Sequence, residues 1–112
     1  MSSSRLQQLQ AFLAQSPGDS FLLFAIAKEH EKQGQWEQAQ QHYEKIQDAD
    51  PNYVGLYYHL GKVHERLENP NSAWKVYSAG MEVAKRIGDQ HALSELAGAR
   101  LYLGDEEDFE EV

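Results

Sequence analysis

Cysteine is absent from these 112 residues, which removes disulfide frameworks, thiolate nucleophiles and cysteine-ligated metals together. No apolar run approaches the length that crosses a bilayer. Basic residues are in deficit, with 10 Lys and Arg against 18 Asp and Glu and a formal charge of −8, whereas nucleic-acid binding draws most of its affinity from a basic footprint. Neither a membrane nor a nucleic-acid partner is therefore expected. The opening Met1-Ser2-Ser3-Ser4-Arg5 leads into a Gln-rich amphipathic stretch and not an apolar signal core, so a cytoplasmic setting is expected.

Catalytic signatures are equally scarce. No glycine-rich loop follows a strand pattern, and no serine stands in a nucleophile setting. The carboxylates lie on polar faces, with no pair isolated in an apolar context that would raise a pKa. His30-Glu31 and His64-Glu65 resemble the start of a zinc-protease helix, but neither has a second histidine four residues on. Two histidines packed between helices are the simpler reading than a shared metal. No enzyme, cofactor or metal is expected.

What is present is order at a fixed period. Ser20–Tyr53 and Val54–Ile87 lie head to tail as two stretches of 34 residues. Leu22/Leu56, Lys28/Lys62, His30/His64, Glu31/Glu65, Ala39/Ala73 and Tyr43/Tyr77 coincide, and Phe24/Tyr58, Ile26/Leu60 and Ala27/Gly61 keep their character. A period of this length marks a repeat architecture, in which each unit stacks on a neighbour to cover its apolar face.

Apolar spacing predicts a helix from about Ser4 to Gln15 carrying Leu6, Leu9, Phe12 and Leu13, then a break at Ser16-Pro17-Gly18-Asp19. Helices follow over about Ser20–Gln33, stopped by Gly34, and from Trp36 to just before Asp50-Pro51. Asn52 is the expected cap of the next helix, and Asn69 is a cap residue placed immediately before Pro70 at a first helical position, where a missing N–H costs nothing. After Ile87 the register slips by two. Gly88 and Asp89 then read as a C-cap and an N-cap, with a terminal helix over about Gln90 to Leu103. Trp36 and Trp74, near helix starts, read as packing residues. Residues 104–112 hold six of the acidic side chains and no stable helix signal, and are expected to form a disordered acidic tail.

These residues resemble the tetratricopeptide repeat, a helix–turn–helix unit of 34 residues. Repeat one answers its pattern with Leu23, Ile26-Ala27, His30, Ala39, Tyr43, Ile46 and Pro51, and repeat two with Tyr57, Leu60-Gly61, His64, Ala73, Tyr77 and Gly80. The resemblance implies an all-α, right-handed α-α superhelix fragment of about six helices. Its parts are residues 1–19 as a flanking half repeat, 20–53 and 54–87 as two repeats, and 88–103 as a capping helix. It further implies a non-catalytic protein–protein interaction module that holds a partner's peptide or helix in a concave groove. By resemblance the groove positions are Phe21, Phe24, Lys28, Glu31 and Lys32, then Gly55, Tyr58, His59, Lys62, Glu65 and Arg66.

Stacked repeats would set Phe24 and Tyr58 as an aromatic row beside Lys28 and Lys62, suited to a peptide with an acidic or carboxylate end. The plainer alternative is that Lys28–Glu31 and Lys62–Glu65 are solvated i,i+3 pairs and that the rings only pack between helices. One branch of the family clamps chaperone tails ending in Glu-Glu-Val-Asp. Phe24, Lys28 and His59 depart from that clamp, which argues against it here. The chain's own acidic end could instead fold back over Lys28 and Lys62. The rival to peptide binding is self-association, with a dimer seam along Leu93, Leu96 and Leu103; a monomer is the first expectation.

Overall fold

The computed structural model describes residues 4–109, which form helices joined by short turns with no strand among them. The helices are α1 (Ser4–Gln15), α2 (Ser20–Lys32), α3 (Trp36–Ala49), α4 (Gly55–Arg66), α5 (Pro70–Ile87), α6 (Gln90–Leu103) and a single turn, α7 (Glu106–Phe109). None is long and apolar enough to cross a membrane among the described residues. The chain divides into two compact units, Met1–Tyr53 and Val54–Val112.

In the first unit, Asp19 caps α2 by accepting from the backbone N–H of Leu22 at 3.0 Å. The helix ends in a Schellman turn, with Gln35 N–H on the His30 carbonyl and Gly34 N–H on that of Glu31. Gly34 takes the left-handed conformation this needs, with φ of 71°. That turn brings α3 back along α2, where Leu23, Ile26 and Ala27 meet Ala39, Tyr43 and Ile46 in a closed core. Ser20 Oγ donates to Asp50 Oδ2 at 3.0 Å, tying the start of α2 to the end of α3. Helix α1 lies on α2 through Leu6 and Leu9 against Ile26.

Two features of this unit depart from the periodicity. Phe12 is 62% exposed, because the α1 face that reaches α2 is centred on Leu6 and Leu9, leaving Phe12 outside it. Glu29 is buried, and its carboxylate pairs with Arg5 of α1 at 2.9 Å and with Lys32 at 3.3 Å. The charge is tolerated there because both partners reach it.

The second unit repeats the pair as α4 and α5 and adds α6. Gly61 lies so close to Tyr77 that a methyl group there would stand 2.1 Å from the ring carbon Cε1. The small residue at this repeat position is thus an ångström-scale constraint on how closely α4 and α5 meet. Gly80 is similarly pressed, with Tyr57 Cβ 2.5 Å and Leu96 Cδ1 3.0 Å from such a methyl. Through that gap α6 packs on α5, burying Leu96 and Ala99. Asp89 caps α6 through the Ala92 N–H at 3.0 Å, and Pro70 opens α5 at its first turn. The turn between α4 and α5 copies the Schellman pattern of the first repeat. Asn69 N–H meets the His64 carbonyl, but Glu68 occupies the left-handed position, with φ of 57°, where the first repeat has glycine.

Three expectations need correction here. Asn52 does not cap α4, because Tyr53 N–H closes a turn on the Asp50 carbonyl and the helix starts later, at Gly55, with Val54 before it. Asn69 makes no side-chain cap either. The acidic stretch after Gly104 is not without structure: Glu106–Phe109 forms one helical turn whose Phe109 is buried against Trp74. An aromatic surface within reach supplies what a highly charged segment lacks on its own. The last three residues of the expected tail lie outside the described residues.

Candidate functional site

Each repeat carries the same constellation on its first helix, backed by a tyrosine from its second. In the first repeat, the buried Tyr43 hydroxyl donates a short hydrogen bond to Glu31 Oε2. The half-buried Phe24 ring meets Tyr43 edge-on at 5.7 Å and Tyr53 at 5.5 Å. In the second repeat, the buried Tyr77 hydroxyl donates a short hydrogen bond to Glu65 Oε2. Tyr58 lies 6.5 Å from the Tyr77 ring and meets His59 edge-on at 5.7 Å. Lys62 Nζ stands 5.4 Å over the Tyr58 ring and 3.8 Å from Glu65 Oε2.

The electrostatics follow from that packing. Burial pushes the Tyr43 phenol far above its usual range, and the hydrogen bond to Glu31 and that residue's charge add to the shift. Tyr77 is raised for the same reasons, burial first and Glu65 after it. Both phenols stay protonated and remain donors, so both glutamates are anchored from below. A lysine on the same helix face then sees a positioned carboxylate and a ring, and offers a cation next to an apolar surface.

The expected site residues divide into three groups. Phe24, Glu31, Tyr58, His59, Lys62 and Glu65 belong to these two constellations, and Lys28 occupies in α2 the place of Lys62 in α4. Phe21, Gly55 and Arg66 are exposed on their own repeats, Phe21 at 68%. Lys32 turns away to Glu29. The structure carries elements of the plainer alternative as well, since Lys62–Glu65 is an i,i+3 pair and Phe24 and Tyr58 rest on tyrosines.

Periodicity alone places Tyr43 and Tyr77 at matching repeat positions and does not name the partners of their hydroxyls. The signal was available: Glu31/Tyr43 and Glu65/Tyr77 are both identical pairs with the same twelve-residue separation. The two histidines have different settings. His30 Nδ1 donates to Gln35 Oε1 at 2.7 Å and its ring lies 5.2 Å from that of His42, while His64 is buried in α4. No group of three or more metal-ligating side chains gathers among the described residues. The dimer seam loses its centre, because Leu96 sits in the core of the second unit; the apolar side chains exposed near the end of α6 are Leu101 and Tyr102.

Comparison with known proteins places these features in a family. The tetratricopeptide repeat model matches residues 20–53. The crystal structure of a tetratricopeptide repeat domain protein from Salinibacter ruber is 44% identical. It covers 76% of this chain and 94% of that one, with a TM-score of 0.72. A solution structure of a Bordetella parapertussis protein is 27% identical over 99% of this chain and 96% of its own, with a TM-score of 0.80. A TPR repeat-containing protein of Pseudomonas aeruginosa is 25% identical over 91 residues, 81% of this chain and 87% of the relative. With its doubled 34-residue helix pair and this degree of identity to a tetratricopeptide repeat domain, the chain is an all-α helical-repeat protein and belongs to the tetratricopeptide repeat family.

Proposed function

We propose that the chain is a non-catalytic binding module for a partner protein's peptide, with Phe24 and Lys28 as contact residues in the first unit and Tyr58 and Lys62 in the second. The observation that carries this reading is the duplicated support: in each repeat a buried tyrosine anchors a glutamate on the face that also bears an aromatic ring and a lysine. Packing alone does not call for a tyrosine hydroxyl at both positions, whereas a surface that must hold its charges in place does. The ligand chemistry that fits is an acidic or carboxylate-ended segment. Its carboxylate competes with Glu65 for Lys62, and its apolar side chains lie along the rings. A net charge of −8 supports a protein partner over nucleic acid. A cytoplasmic setting and a monomeric state are part of this proposal.

The test is affinity capture from the source lysate with the native chain and with a Lys28→Glu/Lys62→Glu variant whose helical circular dichroism matches the native chain. At least one protein is expected on the native chain and missing from the variant. Identical captures, or none by either form, would remove these faces as the working surface. Self-association through α6 has less support, since Leu96 is committed to the core.

A further inference from the structure

The second unit holds a contact that neither repeat face explains. The Trp74 ring of α5 is covered on one side by Phe109, stacked at 5.5 Å with the planes 17° apart. The Arg100 guanidinium of α6 lies 4.8 Å from the same indole. That guanidinium is held in place, for its Nη1 donates to Ser78 Oγ at 3.0 Å and Ser78 donates on to the Trp74 carbonyl at 2.9 Å. Its other nitrogen stands 4.0 Å from Glu106 Oε1. An aromatic shelf and a fixed cation thus receive an acidic segment that ends in phenylalanine.

The fit of that segment is partial. A cavity of about 270 Å³ remains beside it, lined by Trp74, Ala97, Arg100, Leu101 and Gly104 together with the segment's first acidic residues. Leu101 is 72% exposed at this rim, and the Trp74 indole nitrogen is buried with no hydrogen-bond partner among the described residues. A single helical turn has no stability of its own. Among the described residues, the Trp74–Phe109 stack and the 4.0 Å approach of Arg100 to Glu106 hold the segment to α5 and α6.

We infer that the Trp74–Arg100 surface of α5 and α6 is a second docking site, for a partner segment in which acidic residues precede an aromatic one, and that Glu106–Phe109 occupies it as an internal competitor. The partner's acidic residues meet Arg100, and its aromatic side chain takes the place of Phe109 on the indole. The rest of the segment can extend over Leu101 into space that the internal turn leaves open. Tethering keeps the internal segment at an effective concentration in the millimolar range, so a free peptide with a Kd near 100 µM is opposed about tenfold.

Two substitutions open the site by different routes. Phe109→Ala removes the competing ring. Gly104→Ala leaves the ring intact but strains the path of the segment, because a methyl at Gly104 would stand 2.7 Å from Asp108 Oδ2 and 3.0 Å from Phe109 Cε2 at a backbone φ of 151°. The probe is a fluorescein-labelled Asp-Glu-Glu-Asp-Phe peptide, read by anisotropy at low salt, with helical circular dichroism confirming that each variant is folded. Both variants are expected to bind it about tenfold more tightly than the native chain, and adding Arg100→Glu to either, or replacing the peptide's phenylalanine with alanine, is expected to abolish binding. If neither opened variant gains affinity, or if Arg100→Glu leaves the gain intact, the site does not exist. A native chain that sediments as a dimer and becomes monomeric on Gly104→Ala overturns the inference too, since the occupant would then be the end of a second copy.

Discussion

Tyr77 and Glu65 are joined by a short hydrogen bond, and 34 residues earlier Tyr43 and Glu31 are joined in the same way. In both, a buried phenol from the second helix reaches a carboxylate on the first, so the bond locks the helix pair and aims the glutamate at once. Tyr77→Phe keeps the ring and removes only the donor. It is expected to cost about 1–2 kcal/mol in urea unfolding, because hydrogen bonds to charged groups are strong but water can reach part of Glu65, whose side chain is 24% exposed. A loss below a few tenths would mean that the hydroxyl contributes nothing beyond its ring.

Glu68 marks a place where the second repeat runs against its own backbone. It holds the left-handed conformation, φ 57°, that Gly34 supplies in the first repeat, and a side chain there costs about 1–2 kcal/mol. Glu68→Gly relieves that strain but adds freedom to the unfolded chain, worth about 0.4–1 kcal/mol in the other direction. A net gain of about 0.5 kcal/mol is expected in the unfolding midpoint. The reverse exchange, Gly34→Glu, is expected to destabilise.

His42 gives the fold an acid-sensitive term. Burial holds its imidazole below the ordinary value of 6.5, and the charges of His30 and Lys45 add to this, while its hydrogen bond to the Gln38 carbonyl works the other way. The unfolded chain therefore takes up the proton first. This contribution to stability is whole above about pH 6.5 and is lost as pH falls from there through the folded value. Thermal melts between pH 8 and pH 5 are expected to show a smaller acid-side loss of Tm for His42→Gln than for the native chain. Equal losses would show that His42 titrates alike in both states.

The 34-residue period, most of each apolar stripe and several of the start and stop residues were legible in the sequence, because each depends on neighbours within a few positions. Asp19, Pro70, Gly88 and Asp89 act where local rules put them. Asn52 failed because a competing turn on Asp50 uses the same residues, a choice between two local options that spacing does not rank. The lysines, glutamates and rings of the two repeat faces were legible as repeated residue types.

What holds those side chains was decided only by the tertiary structure. Helical periodicity says which face is covered, but not which polar group across the contact meets which. Thus the hydroxyls of Tyr43 and Tyr77 read as part of two packing rings until the helix pairs brought Glu31 and Glu65 within their reach. Glu29 gains a partner 24 positions away only because α1 lays Arg5 against it. The acidic end looked incapable of structure because a four-residue turn cannot hold itself together in water. It becomes ordered only where α5 and α6 set an indole and a guanidinium side by side, a surface no local stretch of the sequence contains.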